Sequence, residues 1–260
     1  MKILKLVFLV FLIASTESLF AQTPKFVEAN LIKSYDRIIY WRSKWKDSTV
    51  NAYDSVKRAD KTFGEMLKYY TSKYPLTIKA ELKGMKKVGF SYFGTGDDVL
   101  RIYSWDTWLG KAERGYGNVF QYIVGDKAHS ELEIDTGSNP CHLYSKLNTC
   151  VINGKTYYIA VHNSFYVTMR ATQGVQIFAI ENGKLNKDVK LIRTDSGLVS
   201  QLSYDYNYGT YDISDLLSRP TIHFNGYTNT IYIPVVENDL QIPNKFITYK
   251  FTGQYFEKVK

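Results

Sequence analysis

Between Phe26 and roughly Tyr74 the apolar residues return at helical spacing. Leu31, Ile32, Tyr35, Ile38 and Ile39 form one stripe. Tyr53, Val56, Phe63, Leu67 and Tyr70 form a second, with Lys57, Arg58, Lys61 and Glu65 between them. Two helices follow from this spacing. Lys46-Asp47-Ser48-Thr49 supplies a break and a capping residue between them, and Pro75 closes the second. Trp41 and Trp45 lie four apart and share a face at the end of the first helix. Packing against the rest of the fold is the simpler role for this pair, and ligand stacking the sharper one.

From Val88 the spacing changes to the alternation of strands. "VLRIYSWD", "TYYIAVHN" and "TIYIPVVEN" share a texture, and their tyrosines Tyr103, Tyr158 and Tyr232 are 55 and 74 residues apart. Each is preceded by a glycine- or asparagine-containing turn and, before it, by "VGFSYF", "LNTCVI" or "TIHF". Each is followed by a strand–glycine turn–strand segment, whose aromatics Tyr122, Phe178 and Tyr249 are 56 and 71 apart. Asn-Gly and Gly-Asp turns accept the positive φ that tight hairpins need. The expected fold is therefore mainly β behind an N-terminal helical segment, residues 22–87. The β domain, 88–260, is a four-stranded antiparallel unit made three times (about 88–135, 141–193 and 219–260) in an open propeller-like arc. A β-sandwich is the alternative.

Three strand ends turn polar at matching places: Trp105-Asp106-Thr107, His162-Asn163-Ser164 and Glu237-Asn238. In a stack of such units, equivalent loops leave on one side. The expected ligand-binding set is Trp105, Asp106, Trp108, His162, Asn163, Tyr166, Arg170 and Glu237, aromatic faces with a few polar groups suited to sugars or peptides. The competing account is that strands simply end in polar residues and Trp105 fills core. "SYDYNYGTYD", 203–212, sets Tyr204, Tyr206 and Tyr208 on one strand face and Asp205 and Asn207 on the other.

Composition adds a compartment. Lys2 and Lys5 precede the apolar run Leu6 to Ala14, and Ala21 offers a cleavage point, so residues 1–21 read as a signal peptide too short to span a bilayer. The expectation is export to the periplasm or outside the cell, without a transmembrane anchor. Cleavage lowers the formal charge from +8 to +7, which favours anionic surfaces such as acidic polysaccharide. Nucleic acid is disfavoured by export and by the lack of a dense basic run. Export permits a disulfide between Cys141 and Cys150, provided that the intervening "HLYSKLNT" folds back on itself. The four histidines have no metal-ligand spacing, and the HExxH, GxSxG and P-loop patterns do not occur, so no metal, cofactor or catalytic residue is assigned. Gly115-Tyr116-Gly117 matches only the start of a dinucleotide fingerprint.

The strand–turn–strand rhythm and the "RIYSWDT" strand end resemble exported, β-rich, propeller-like bacterial proteins of uncharacterised function. The resemblance covers the β body. It implies location and architecture, and it transfers no site residues. The expected function is a non-catalytic binding or interaction protein of the cell envelope, its partner an envelope polysaccharide, a peptide or another envelope protein. The alternative is a glycan-acting hydrolase using Asp106 and Glu237 as its carboxylate pair.

Overall fold

Thr23 caps the first helix through its hydroxyl and Pro24 occupies the first turn, where a missing N–H costs nothing. In a computed structural model describing residues 23–86, 90–110, 112–135, 141–207, 221–237 and 244–259, helix α1 is Pro24–Ser43 and α2 is Ala52–Lys73. The signal-like segment lies outside the described residues. The cap of α2 is Asn51, not a residue of 46–49; Asp47 instead holds the turn by accepting from Thr49. Val27, Leu31, Tyr35 and Ile38 of α1 are buried with Val56, Phe63 and Leu67 of α2. A 3-10 turn (Pro75–Ile78) and a short helix α3 (Lys83–Lys86) lead into the strands.

The chain is strand-rich behind these helices, and the described residues form three open sheets and no closed propeller. The first is β1 (Phe90–Gly94), β2 (Leu100–Asp106), β3 (Tyr116–Val124) and β4 (Lys127–Ile134), an antiparallel meander. The second contains β5 (Leu143–Ile152), β6 (Lys155–Phe165) and β7 (Arg170–Glu181), with β8 (Lys184–Asn186) also paired to β7. Strands β9 (Ile192–Thr194), β10 (Gly197–Val199) and β11 (Gln201–Asn207) come next. The third sheet holds β12 (His223–Asn225), β13 (Thr230–Pro234), β14 (Phe246–Phe251) and β15 (Phe256–Lys258). Tyr103, Tyr158 and Tyr232 all fall on the second strand of their meanders.

Between the second and third meanders the count departs from the repeat. β9, which begins at the end of the expected second unit, pairs in parallel with β15, and β10, beyond that unit, pairs with β9, so the third sheet has six strands. β11 joins the edge of the second sheet beside β7. There, Tyr206 is buried, Tyr204 half-buried and Asp205 exposed, as the alternation requires; Tyr208 lies outside the described residues.

The layers stack as helices, first sheet, second sheet, third sheet. Tyr103, Trp105 and Val119 pack under the helices. Leu100, Ile102 and Phe120, on the opposite face of the same strands, meet Tyr144, Tyr158 and Phe178 of the second sheet. The far face of that sheet, with Ile159, Val161 and Val175, meets Ile231, Ile233 and Phe256 of the third. Two of the three sheets are thus covered on both faces, which explains near-continuous burial along β2, β6 and β7.

β2 shows how one strand serves both neighbours. Arg101 Nη1 donates to the carbonyls of Thr77 and Ala80, the Tyr103 hydroxyl to Thr77 O, and Trp105 Nε1 to Asp60 Oδ1 at 2.7 Å. Gln121 of β3 adds bonds to Thr71 O and the Thr77 hydroxyl. The Thr71 carbonyl, at the end of α2 where helical partners run out, is satisfied in this way, and the carbonyls of Thr77 and Ala80 are tied to the sheet.

The expected disulfide is absent: Cys141 and Cys150 are both free and buried. "HLYSKLNT" does not fold back. From Leu143 it is strand, and at about 3.3 Å per residue the run from Leu143 to Cys150 extends roughly 20 Å instead of returning Cys150 to Cys141. Burial pushes both thiols up, Cys141 to about 12 and Cys150 to about 11.

Candidate functional site

The loops expected to converge do so for the first two sheets, but as a packed joint. Arg114 N donates to Phe165 O and Val167 N to Ala112 O, and Glu113 bridges to Tyr166. The β6–β7 connection is only the four residues between Phe165 and Arg170. His162 and Asn163 therefore lie within β6 and are buried, not at a loop mouth. Arg170 is exposed and pairs with Asp205 at 3.3 Å. Glu237 ends the described part of the third sheet's loop and pairs with Lys245 at 3.3 Å. Asp106 and Glu237 stand on the first and third sheets, with the second sheet between them. Two spacings of about 10 Å each separate such layers.

Trp105 is fully buried and fills core. Phe63 meets its ring edge-on at 5.1 Å, and a Cβ on Gly117 would overlap it. Gly117 is thus a close-approach position, and Gly115 likewise abuts Thr107 and Asp135, which accounts for both glycines without a nucleotide. Asp60 accepts from Trp105 through one oxygen while the other is buried without a partner. Burial raises the Asp60 carboxyl to about 7 against the Trp105 hydrogen bond, with Asp106 and Asp135 adding repulsion.

Trp108 adopts φ of 59°, a left-handed conformation rare for a bulky residue. Its amide donates to Asp106 Oδ1 at 2.7 Å, and the Arg42 guanidinium lies 3.1 Å from its ring centroid. The two contacts hold the strained residue in place. Burial raises the Asp106 carboxyl, opposed by the Trp108 amide, Arg114 and Arg42.

Between the first two sheets, His142 and His162 stack at 4.2 Å, and His142 Nδ1 meets the Ser164 hydroxyl at 2.8 Å. Both nitrogens of His162 lack partners. Burial, then the neighbouring His142, pushes His162 down to about 3, so this pair is neutral. No group of three or more metal-ligating side chains exists among the described residues.

Among the described residues, open concave surface also lies elsewhere, on the outer side of the α1–α2 hairpin. Ser34, Arg37 and Trp41 line the groove from α1 and Ser55, Arg58 and Thr62 from α2, with Ser34 and Ser55 buried at the seam and both arginines exposed. With Tyr40 they line a groove of about 420 Å³, within the range of about 300–1,000 Å³ typical of small-molecule sites. A second cavity of about 370 Å³ follows at the hairpin tip, between Trp45, Val50 and Tyr53. Tyr40, Trp45 and Tyr53 are 54%, 46% and 47% exposed, an aromatic density unusual for free surface. Of the tryptophan pair, Trp41 packs partly on the helical core and Trp45 does not. Sequence spacing contains the two groove-lining rows, at 34/37/41 and 55/58/62, but the neighbouring apolar stripes carry the stronger signal.

No helix among the described residues is long and apolar enough to cross a membrane. No family model, curated protein or solved structure matches the chain.

Proposed function

We propose that this chain is an exported binding protein of the cell envelope, and that its contact face is the outer side of the helical hairpin. In this reading the three stacked sheets are successive blades of an open, propeller-like arc that carries the hairpin at one end. The observation that carries the proposal is the two cavities on the hairpin, one walled by Tyr40 and Trp41 and the other by Trp45 and Tyr53. Aromatic rings beside hydroxyls suit sugar rings or peptide side chains. The signal-like first 21 residues and the basic charge agree with an envelope partner.

The hydrolase alternative has less support. The Asp106 carboxylate is occupied by the Trp108 amide and Glu237 by Lys245. One assay separates the readings: the mature chain is incubated with envelope polysaccharide and peptidoglycan fragments, and binding and product are both followed. The binding reading expects saturable association that Tyr40→Ala with Trp45→Ala abolishes, and no product. Sugar release that disappears in Asp106→Asn or Glu237→Gln would reject it.

A further inference from the structure

Every other described arginine is engaged. Arg42 covers Trp108, Arg101 serves two carbonyls, Arg114 lies over Phe165, and Arg170 and Arg193 pair with Asp205 and Glu257. Arg37 and Arg58 have no carboxylate partner among the described residues, and both line the hairpin groove from opposite helices. Arg58 Nη2 donates only to the Ser55 hydroxyl, at 3.1 Å. No wall of the groove is acidic. Two guanidinium groups held across one cavity repel each other until an anion sits between them.

We infer that this groove selects a saccharide bearing a carboxylate; the inference rests on the hairpin being the contact face. The planar guanidinium fork receives a carboxylate through two parallel hydrogen bonds. Tyr40 and Trp41, edge to face at 5.1 Å, offer apolar surface for the C–H face of a sugar ring. Ser55 and Thr62 donate their hydroxyl hydrogens to Asn51 O and Arg58 O, so their oxygens face the groove as acceptors for sugar hydroxyls, with Ser34 beside them. A neutral sugar would use the rings and hydroxyls and leave both charges unanswered. An acidic peptide of the polyglutamate kind would answer the charges and bring no sugar-ring face to Tyr40 and Trp41.

The test is calorimetric titration of the full mature chain with trigalacturonate, N-acetylmuramic acid, the methyl ester of each, and triglutamate as the peptide control. Expected is saturable binding of at least one sugar acid, roughly tenfold weaker for its ester. Arg37→Ala and Arg58→Ala should each remove that preference, with unchanged melting temperature and unchanged ester affinity. Equal binding of acid and ester, lost together in Trp41→Ala, overturns selection by charge and leaves the groove as the contact face. Tighter binding of triglutamate overturns the saccharide. Failure of every probe to bind overturns the inference, and if the envelope fragments above still bind, the contact-face reading survives it.

Discussion

The two sides of the helical hairpin use the same residue types for opposite ends. On the side facing the first sheet, Trp105 meets Asp60, and Arg42 covers Trp108 near the joint. The buried polar atoms left without a partner there are one Asp60 oxygen, the Arg101 Nε and the Trp108 indole nitrogen; their neighbours are matched by the fold. On the outer side Arg37, Arg58, Tyr40 and Trp41 border a groove with little to satisfy them. A tryptophan or arginine is therefore not informative by type. What separates structure from recognition in this molecule is whether the protein itself supplies the partner.

The largest expected effect breaks the inner side. Trp105→Ala empties a fully buried ring site and strands the Asp60 carboxyl, so we expect a loss of about 4 kcal/mol in urea unfolding. Trp45→Ala, exposed at the tip, should stay within about 0.5 kcal/mol of the parent. Equal losses would erase the distinction between the sides.

Asp60 sharpens it next. A carboxyl raised to about 7 binds a proton in the folded state that the unfolded chain releases near pH 4. The stability it contributes is present below the unfolded value and is lost as pH rises toward 7. Asp60→Asn keeps an acceptor for Trp105 and removes the titration. We expect the variant to be more stable than the parent by a few kcal/mol at pH 8, with the gap closing toward pH 4. An identical pH profile in the two proteins would refute the assignment.

His162 has the opposite sign. With its folded pKa depressed to about 3, the unfolded chain takes up the proton first, so stability is lost as pH falls below about 6.5. His162→Phe retains the ring stack on His142 and should flatten that acid limb, as read from melting temperatures between pH 6.5 and 4. The smallest effect belongs to the outer side. Arg37→Ala and Arg58→Ala should leave stability within about 0.5 kcal/mol, since neither supports another residue through a carboxylate. A clear loss in chemical denaturation would make the groove a structural element.

Much of the strand order was legible. "VLRIYSWD", "TYYIAVHN" and "TIYIPVVEN" are all second strands of meanders because alternation and turn residues are local properties. The joint was legible only as a meeting of loops. Trp105, His162 and Asn163 read as loop-mouth residues because a buried polar contact and an exposed one leave the same letters in a strand end. Asp60 carried no signal at all, being one acid on a helix until Trp105 is seen against it.

The amino-acid sequence alone determined the helical front, the three double hairpins and their turns, since each depends on neighbours a few residues away. Tertiary structure decided which face of each strand looks at which layer, because in a stack both faces are apolar and periodicity cannot tell them apart. It also moved β9 to the third sheet and kept the two thiols apart. Finally, it brought Arg37 to Arg58 across one groove, an encounter of residues 21 positions apart that depends on how two helices pack rather than on either helix by itself.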